Sequence, residues 1–257
     1  MSSEKPLHRL NTVNNAISLL AMFIKYDSIG LVEIEEEVGI SKTAAFRLVA
    51  TMADRGMLIR DEKTKRYLPG PLLFQLVRKS QFNDVVAIAQ PHIQELAEMT
   101  SESIYLSIRS GYKYIYLTGI DSPQLLKVTI PFGDENDLYF GAAGNLHLAY
   151  MSPAEIENYA KRTTFEAFTP RTITDPAQLS EKLAQIREAG FSISLAERMP
   201  DAGGVAAPIW DHGAEPAATI GIYFPMSRLD DDKKDQYIEL VKTYAHKISE
   251  EAKAGRN

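Results

Sequence analysis

The chain reads as an α+β protein. A helix-turn-helix followed by a β-ribbon forms the N-terminal part, then comes a linker helix. The C-terminal domain carries a mainly antiparallel sheet flanked by helices. Three observations predict this. Up to about residue 99 apolar residues recur at helical spacing, and after residue 100 a period of two takes over in several short stretches. Gly39 and Gly56 punctuate the first part, and Pro69-Gly70-Pro71 marks a boundary. With 257 residues, 45% hydrophobic and 24% charged, the chain has ordinary globular composition and length for one to two domains.

The elements follow in order. Val13, Ile17, Leu20 and Ile24 recur at i, i+3/i+4 and predict a helix over about 10–25, capped by Asn11 or Thr12. A short helix over 32–38 turns Ile34 and Val38 inward, and Gly39 ends it. Ser41 caps a third helix over 42–55, with Ala45, Leu48, Val49 and Met52 inward and Gly56 closing it. Residues 57–61 and 66–70 read as two short strands around the polar turn 62–65. A linker helix runs from 72 to about 80, and a second amphipathic helix over 84–99. Residues 103–109 and 113–119 form a hairpin around Ser110-Gly111, with Ile104, Leu106 and Ile108 alternating against Tyr105 and Ser107. Residues 125–131 read as a third strand. A Gly/Ala-rich helix starts at 141, a capping box opens another at Ser152-Pro153-Ala154-Glu155, and Asp175-Pro176 opens a third ending at Gly190. Strands over 191–197, 205–211 and 218–224 precede a last helix over 230–253. The domains expected are 1–70, a linker segment 71–84, and 85–257.

Cysteine is absent, which excludes disulfides, thiolate metal sites and cysteine nucleophiles. No apolar run of about 18 residues is present, and the first residues lack the apolar core of a secretory signal. A cytoplasmic location is expected, without a membrane partner. The net charge of −6 conceals an asymmetry. Residues 39–70 hold seven bases against three acids, a net of +4. A basic patch on an acidic protein directs attention to that segment.

Residues 31–50 have the pattern of a helix-turn-helix, whose second helix must expose short or polar side chains to enter a major groove. Lys42, Thr43 and Arg47 meet that need. Arg47 can fork onto guanine O6 and N7 or clamp a phosphate. Thr43 can reach a phosphate or a thymine methyl. Ala44 can sit close to a base edge, and Phe46 offers an apolar face to thymine methyls. Lys63, Lys65 and Arg66 in the ribbon turn are placed like a wing, over the backbone or a narrow minor groove. Lys25 and Arg60 read as solvated surface. Arg9 reads as an arm contact or as part of a loose tail.

The run LVEIEEEVGISKTAAFRLVATMADRGMLIRDEKTKRYLPG (31–70) closely resembles the winged helix of the IclR family of bacterial transcriptional regulators. Further resemblances follow in the same order: PHIQELAEMTSE (91–102), GAAGNLHLAY (141–150), TPRTITDP (169–176), IREAGF (186–191) and VAAPIWD (205–211). Together they span about 10–250. The resemblance implies a GAF-like effector-binding domain, a dimer or dimer of dimers, and double-stranded operator DNA bound under control of a small organic acid.

On residues alone, GAAG (141–144) at a helix start suits an anion bound by backbone N–H groups, or close packing of a helix on a sheet. With the resemblance, Ala142 and Ala143 become donors to an effector carboxylate. The family's pocket positions correspond to Leu125, Val128, Ser194, Gly204, Gly221 and Tyr223. Members that bind very small oxo-acids typically carry Asp where this chain has Ser194, commonly Cys at Gly204 and Ser at Gly221. These departures imply a larger and less polar ligand, an aromatic or longer-chain carboxylate. Tyr105, Tyr116, Tyr139 and Trp210 supply aromatic surface, at least half of it core packing.

The alternative is an enzyme or sensor that uses the C-terminal pocket with a winged helix that does not bind DNA, and a third reading uses the winged helix for protein contacts. The five histidines (8, 92, 147, 212, 246) form no H-x-H or H-E-x-x-H, and no G-x-S-x-G is present. His147 reads as a packed or solvent-facing residue rather than a pocket residue. Asp230-Asp231-Asp232 reads as a helix start. No catalytic residue, cofactor or metal site is expected.

Overall fold

The computed structural model describes residues 10–78 and 81–255. Arg9, and residues 79–80 at the expected end of the linker helix, lie outside them. The chain divides into two compact units, Met1–Ser80 and Gln81–Asn257.

In the first unit, α1 (Asn11–Met22), α2 (Leu31–Val38) and α3 (Lys42–Asp54) precede a ribbon of β1 (Leu58–Arg60) and β2 (Tyr67–Pro69), then α4 (Pro71–Val77). α2 stops where Gly39 takes left-handed angles (φ 72°, ψ 36°) and its N–H returns to Glu35 O. A residue with a Cβ is disfavoured there by roughly 1 kcal/mol. Ser41 Oγ accepts from Ala44 N at 3.4 Å and starts α3. Ala45, Leu48, Val49 and Met52 are buried, as the spacing predicts. They close on Leu19, Ile29, Ile34, Leu58 and Tyr67 in one core. Ile29 and Tyr67 exchange both backbone bonds (3.0 and 2.8 Å), so the α1–α2 turn becomes a third rail beside the ribbon.

α1 corrects an expectation. Leu19 and Met22 are buried, with Ala16, Leu20 and Phe23 packed beside them. Val13 (52% exposed), Ile17 (62%) and Ile24 (57%) face outward. The helix carries two apolar arcs, and helical spacing fits either; the contact with α2 and α3 selects the second. Leu10, not Asn11 or Thr12, occupies the N-cap, without a side-chain bond.

The second unit starts with α5 (Gln81–Thr100), earlier than the expected 84. β3 (Ser103–Ser110), β4 (Lys113–Ile120) and β5 (Glu135–Asp137) follow, then α6 (Ala142–Ala149), α7 (Pro153–Arg162) and α8 (Pro176–Ala189). β6 (Ser192–Leu195), β7 (Ala202–Ile209), β8 (Ala218–Pro225) and α9 (Asp231–Ala254) complete it. The strands form one six-stranded sheet in the order β5-β4-β3-β8-β7-β6, every pair antiparallel.

Side chains alternate between the two faces of a strand. Ile104, Leu106 and Ile108 of β3 and Ile220, Ile222 and Phe224 of β8 join α5 and α9 in one core. Tyr105 and Tyr223 point the other way and join α6, α7 and α8 in a second. The period-two pattern is therefore present, yet Tyr105 and Ser107 are buried because helices cover both faces. The Ser152 and Asp175 caps form as predicted, and Gly190 closes α8 in the left-handed region.

Residues 125–131 are not a strand. The short β5 pairs with β4 at residues 113–115 instead. Two of the loop's backbone groups are met by side chains: Ser103 Oγ donates to Val128 O (2.6 Å) and Ile130 N donates to Tyr105 Oη (3.0 Å). The remaining residues are largely exposed, so water can serve their backbone groups without a ladder.

Candidate functional site

α3 presents one continuous outer surface. Lys42, Thr43, Ala44, Phe46 and Arg47 are all exposed, while the intervening Ala45, Leu48 and Val49 are buried. Phe46 is 53% exposed, an unusual position for a large aromatic ring without a partner. In the ribbon turn, Asp61 Oδ1 accepts from Lys63 N (2.7 Å) and Thr64 N (3.1 Å). Those backbone donors, Thr64 first, lower the Asp61 pKa. Lys63 and Lys65 stand exposed at the tip; Lys65 takes φ 59° and pairs with Glu62 at 2.9 Å.

Arg66 is held by partners within the N-terminal unit. Its Nε donates to Ser28 Oγ (2.8 Å), and its Nη2 donates to Ser28 O (2.7 Å) and to Glu33 Oε1 (2.7 Å). It braces the wing against the α1–α2 turn and α2. Glu33's pKa is lowered, first by its own backbone N–H and next by Arg66.

The second site is a cavity of about 150 Å³ in the C-terminal unit. Its walls come from β4, β6–β8, the 128–131 loop and the start of α6. Val128, Ala142, Ser194, Gly204 and Tyr223 line it, as expected. Leu125 does not; it is fully exposed on the loop. Ala143 is buried one residue further into α6, and Gly221 lies behind the Tyr223 ring. Tyr114, Tyr116 and Tyr223 form the aromatic wall, with Tyr105 behind them. Tyr105, Tyr116 and Tyr223 meet edge to face with centroids 5.6–5.8 Å apart. Tyr116 donates to Tyr223 Oη at 3.1 Å. Burial raises the pKa of all four phenols, so they stay neutral.

The loop 196–201 carries two residues that the sequence reading missed. Ala196 holds φ 60°, rare for a residue with a Cβ and costly by about 1 kcal/mol or more. Thr169 Oγ1 donates to Ala196 O (2.7 Å) and Thr172 Oγ1 to Glu197 O (2.5 Å), which keeps the bend in place. Glu197 is then buried at the start of α6, accepting from Gly141 N (3.3 Å) and Asn145 Nδ2 (3.2 Å) and pairing with Lys182. Arg198 lines the cavity. The tetrad A-E-R-M resembles any solvated turn, so only the Thr169/Thr172 pair hinted at a held loop.

His147 is packed: Ser107 Oγ lies 3.1 Å from Nε2, and burial first, Arg109 second, push its pKa down to about 3. Tyr139 bonds Glu166 O and Trp210 packs on Tyr150, both away from the cavity. Among the described residues no group of three or more His, Cys, Asp or Glu could hold a metal ion, and no helix is long and apolar enough to cross a membrane.

Residues 12–62 match the IclR helix-turn-helix domain, and residues 78–250 match the C-terminal region of bacterial transcriptional regulator IclR. The chain belongs to the IclR family. The HTH-type transcriptional regulator BhcR of Paracoccus denitrificans is 28% identical over 244 residues, which cover 93% of this chain and 86% of that protein. The crystal structure of the Thermotoga maritima IclR superposes with a TM-score of 0.73 at 26% identity, covering 95% of this chain and 99% of the other. An IclR homologue from Microbacterium hydrocarbonoxydans, complexed with 4-hydroxybenzoate, shares the fold (TM-score 0.80, 19% identity, 94% and 98% covered). This IclR-family protein is thus a DNA-binding transcriptional regulator with an effector-binding C-terminal domain, and its relatives are regulators rather than enzymes.

At Gly204 and Gly221 the space that a side chain would need is taken by the Tyr223 ring. A Cβ on Gly204 would lie 2.7 Å from Tyr223 Cδ1, and one on Gly221 2.8 Å from Tyr223 Oη. The glycines make room for the tyrosine ring, which occupies the vacated volume.

Proposed function

We propose that this regulator binds operator DNA through Lys42, Thr43, Ala44, Phe46 and Arg47 of α3 and through Lys63 and Lys65 of the wing, and that a single-ring aromatic carboxylate controls that affinity. Residues 1–70 act as the DNA-binding domain, 71–84 as the linker and 85–257 as the effector domain, in the cytoplasm. Arg66 acts by holding the wing rather than by touching DNA. The observation that carries the effector class is the tyrosine-walled cavity of about 150 Å³. An engineered cavity of about that size accepts benzene, whereas a longer-chain acid needs more room.

The ligand changes operator affinity only through its different affinities for two arrangements of the protein. With a selected operator duplex, 4-hydroxybenzoate is expected to shift the affinity by about fivefold or more. Acids of two carbons and long-chain acids are expected to leave it unchanged. Calorimetry that finds the cavity selective for two-carbon oxo-acids contradicts this reading.

The protein acts as a homodimer or dimer of dimers, supported by the outward arc Val13, Ile17 and Ile24 on α1, an apolar stripe that a second copy can cover. Ile17→Glu is expected to lower the mass measured by sedimentation equilibrium while the circular dichroism spectrum stays that of the folded protein. An unchanged mass removes α1 from the interface.

A further inference from the structure

The charge distribution around the cavity singles out one residue. We infer that Arg198 receives the effector's carboxylate and sets the pocket's preference for an acid. This deepens the reading of the cavity as an effector site and rests on it.

Among the described residues lining the cavity, Arg198 alone carries a formal charge. The other walls are aromatic, aliphatic, hydroxyl or glycine. Elsewhere in this unit Arg109, Lys182 and Arg228 are each held by a glutamate, but no carboxylate lies within ion-pair distance of Arg198 among the described residues. Its Nη1 donates to the amide oxygen Asn136 Oδ1 (2.6 Å), and its guanidinium carbon stands 5.4 Å from the Phe140 ring centroid. An amide and a ring face aim the guanidinium without neutralising it. Its planar fork matches a carboxylate with paired parallel bonds.

The start of α6 is the other possible receiver, and a buried carboxylate, Glu197, already sits on its N-cap amide. The partial charge there is roughly half an elementary charge, and Glu197 accepts from Gly141 N and Asn145 Nδ2. Glu197 leaves Ala142 N–H and Ala143 N–H unused, but its carboxylate beside them repels a second one that is not met by a cation. Lys182 is likewise committed to Glu197. The bend at Ala196, braced by Thr169 and Thr172, places the glutamate on the helix and the adjacent arginine at the cavity. Ala142 N–H can then assist a carboxylate whose charge is met by Arg198.

Benzoate and benzamide make a matched pair of probes, with one ring and one charged member. By calorimetry on the full chain, benzoate is expected to bind at least about tenfold tighter than benzamide. Arg198→Gln is expected to abolish that preference by weakening benzoate alone, and Arg198→Lys to retain part of it. Because the preference is a ratio within each protein, a general loss of stability does not imitate the result. An Arg198→Gln protein that keeps the preference overturns the role of Arg198 and leaves the effector reading standing. If the wild-type chain binds neither probe nor 4-hydroxybenzoate, the effector reading fails and the role of Arg198 falls with it.

Discussion

Replacing Arg47 with glutamate is expected to abolish operator binding while leaving effector affinity unchanged. The side chain stands exposed on α3 beside Thr43 and Ala44, and the residues that hold the helix in place, Leu48 and Val49, face the other way. The substitution therefore alters the presented surface without touching the core. A bidentate arginine contact is worth about 1–3 kcal/mol, and a reversed charge adds phosphate repulsion, so a loss of about a hundredfold or more is expected. Lys63→Gln gives the contrast. It removes one exposed charge at the wing tip, and the slope of log affinity against log salt is expected to fall by about 0.9. Arg66→Gln breaks the ties to Ser28 and Glu33. Its expected signature is a lower melting temperature of the N-terminal unit, with weaker binding but the salt slope retained. Arg47→Glu protein that binds the operator like wild type would remove α3 from the groove. Loss of effector binding in the same variant would indicate a folding defect instead.

The contrast between α3 and α1 shows what was legible. α3 has a serine cap, glycines before and after it, and a single apolar arc, so its inner and outer faces followed from spacing alone. α1 has two apolar arcs, and only tertiary packing chooses between them. The sheet was legible wherever side chains alternate, including β3, β4 and β8. The loop at 125–131 misled because its apolar run finds hydrogen bonds on Ser103 and Tyr105 rather than on a neighbouring strand. Five of the eight expected pocket residues line the cavity. Arg198 was invisible because its importance lies in the charge missing from every other wall, which is a property of the assembled cavity and not of any local stretch.

Gly204 and Gly221 carry the same lesson further, since counting lost atoms in the sequence predicts more room and the Tyr223 ring takes up the space beside both glycines. Tyr223→Ala therefore tests the pocket from the opposite direction. Tyr223 is 7% exposed, lies against Tyr105 and Tyr116, and covers both glycines. Removing a buried aromatic ring costs about 3 kcal/mol or more, which in a unit of this size lowers the melting temperature by roughly 6–12 °C. The vacated space adjoins the cavity, so the variant is expected to accept a two-ring acid such as 2-naphthoate and to bind benzoate more weakly. Tyr223→Phe keeps the ring and loses only the bond with Tyr116, so it should cost about 1 kcal/mol and preserve the preference for one ring. Gly221→Val acts in reverse, because its Cβ collides with the Tyr223 ring and drives it toward the ligand space, closing the pocket to both acids. A Tyr223→Ala protein that is folded and still refuses the two-ring acid would mean that the ring packs the core without setting ligand size. The selectivity would then have to come from the 128–131 loop on the facing wall.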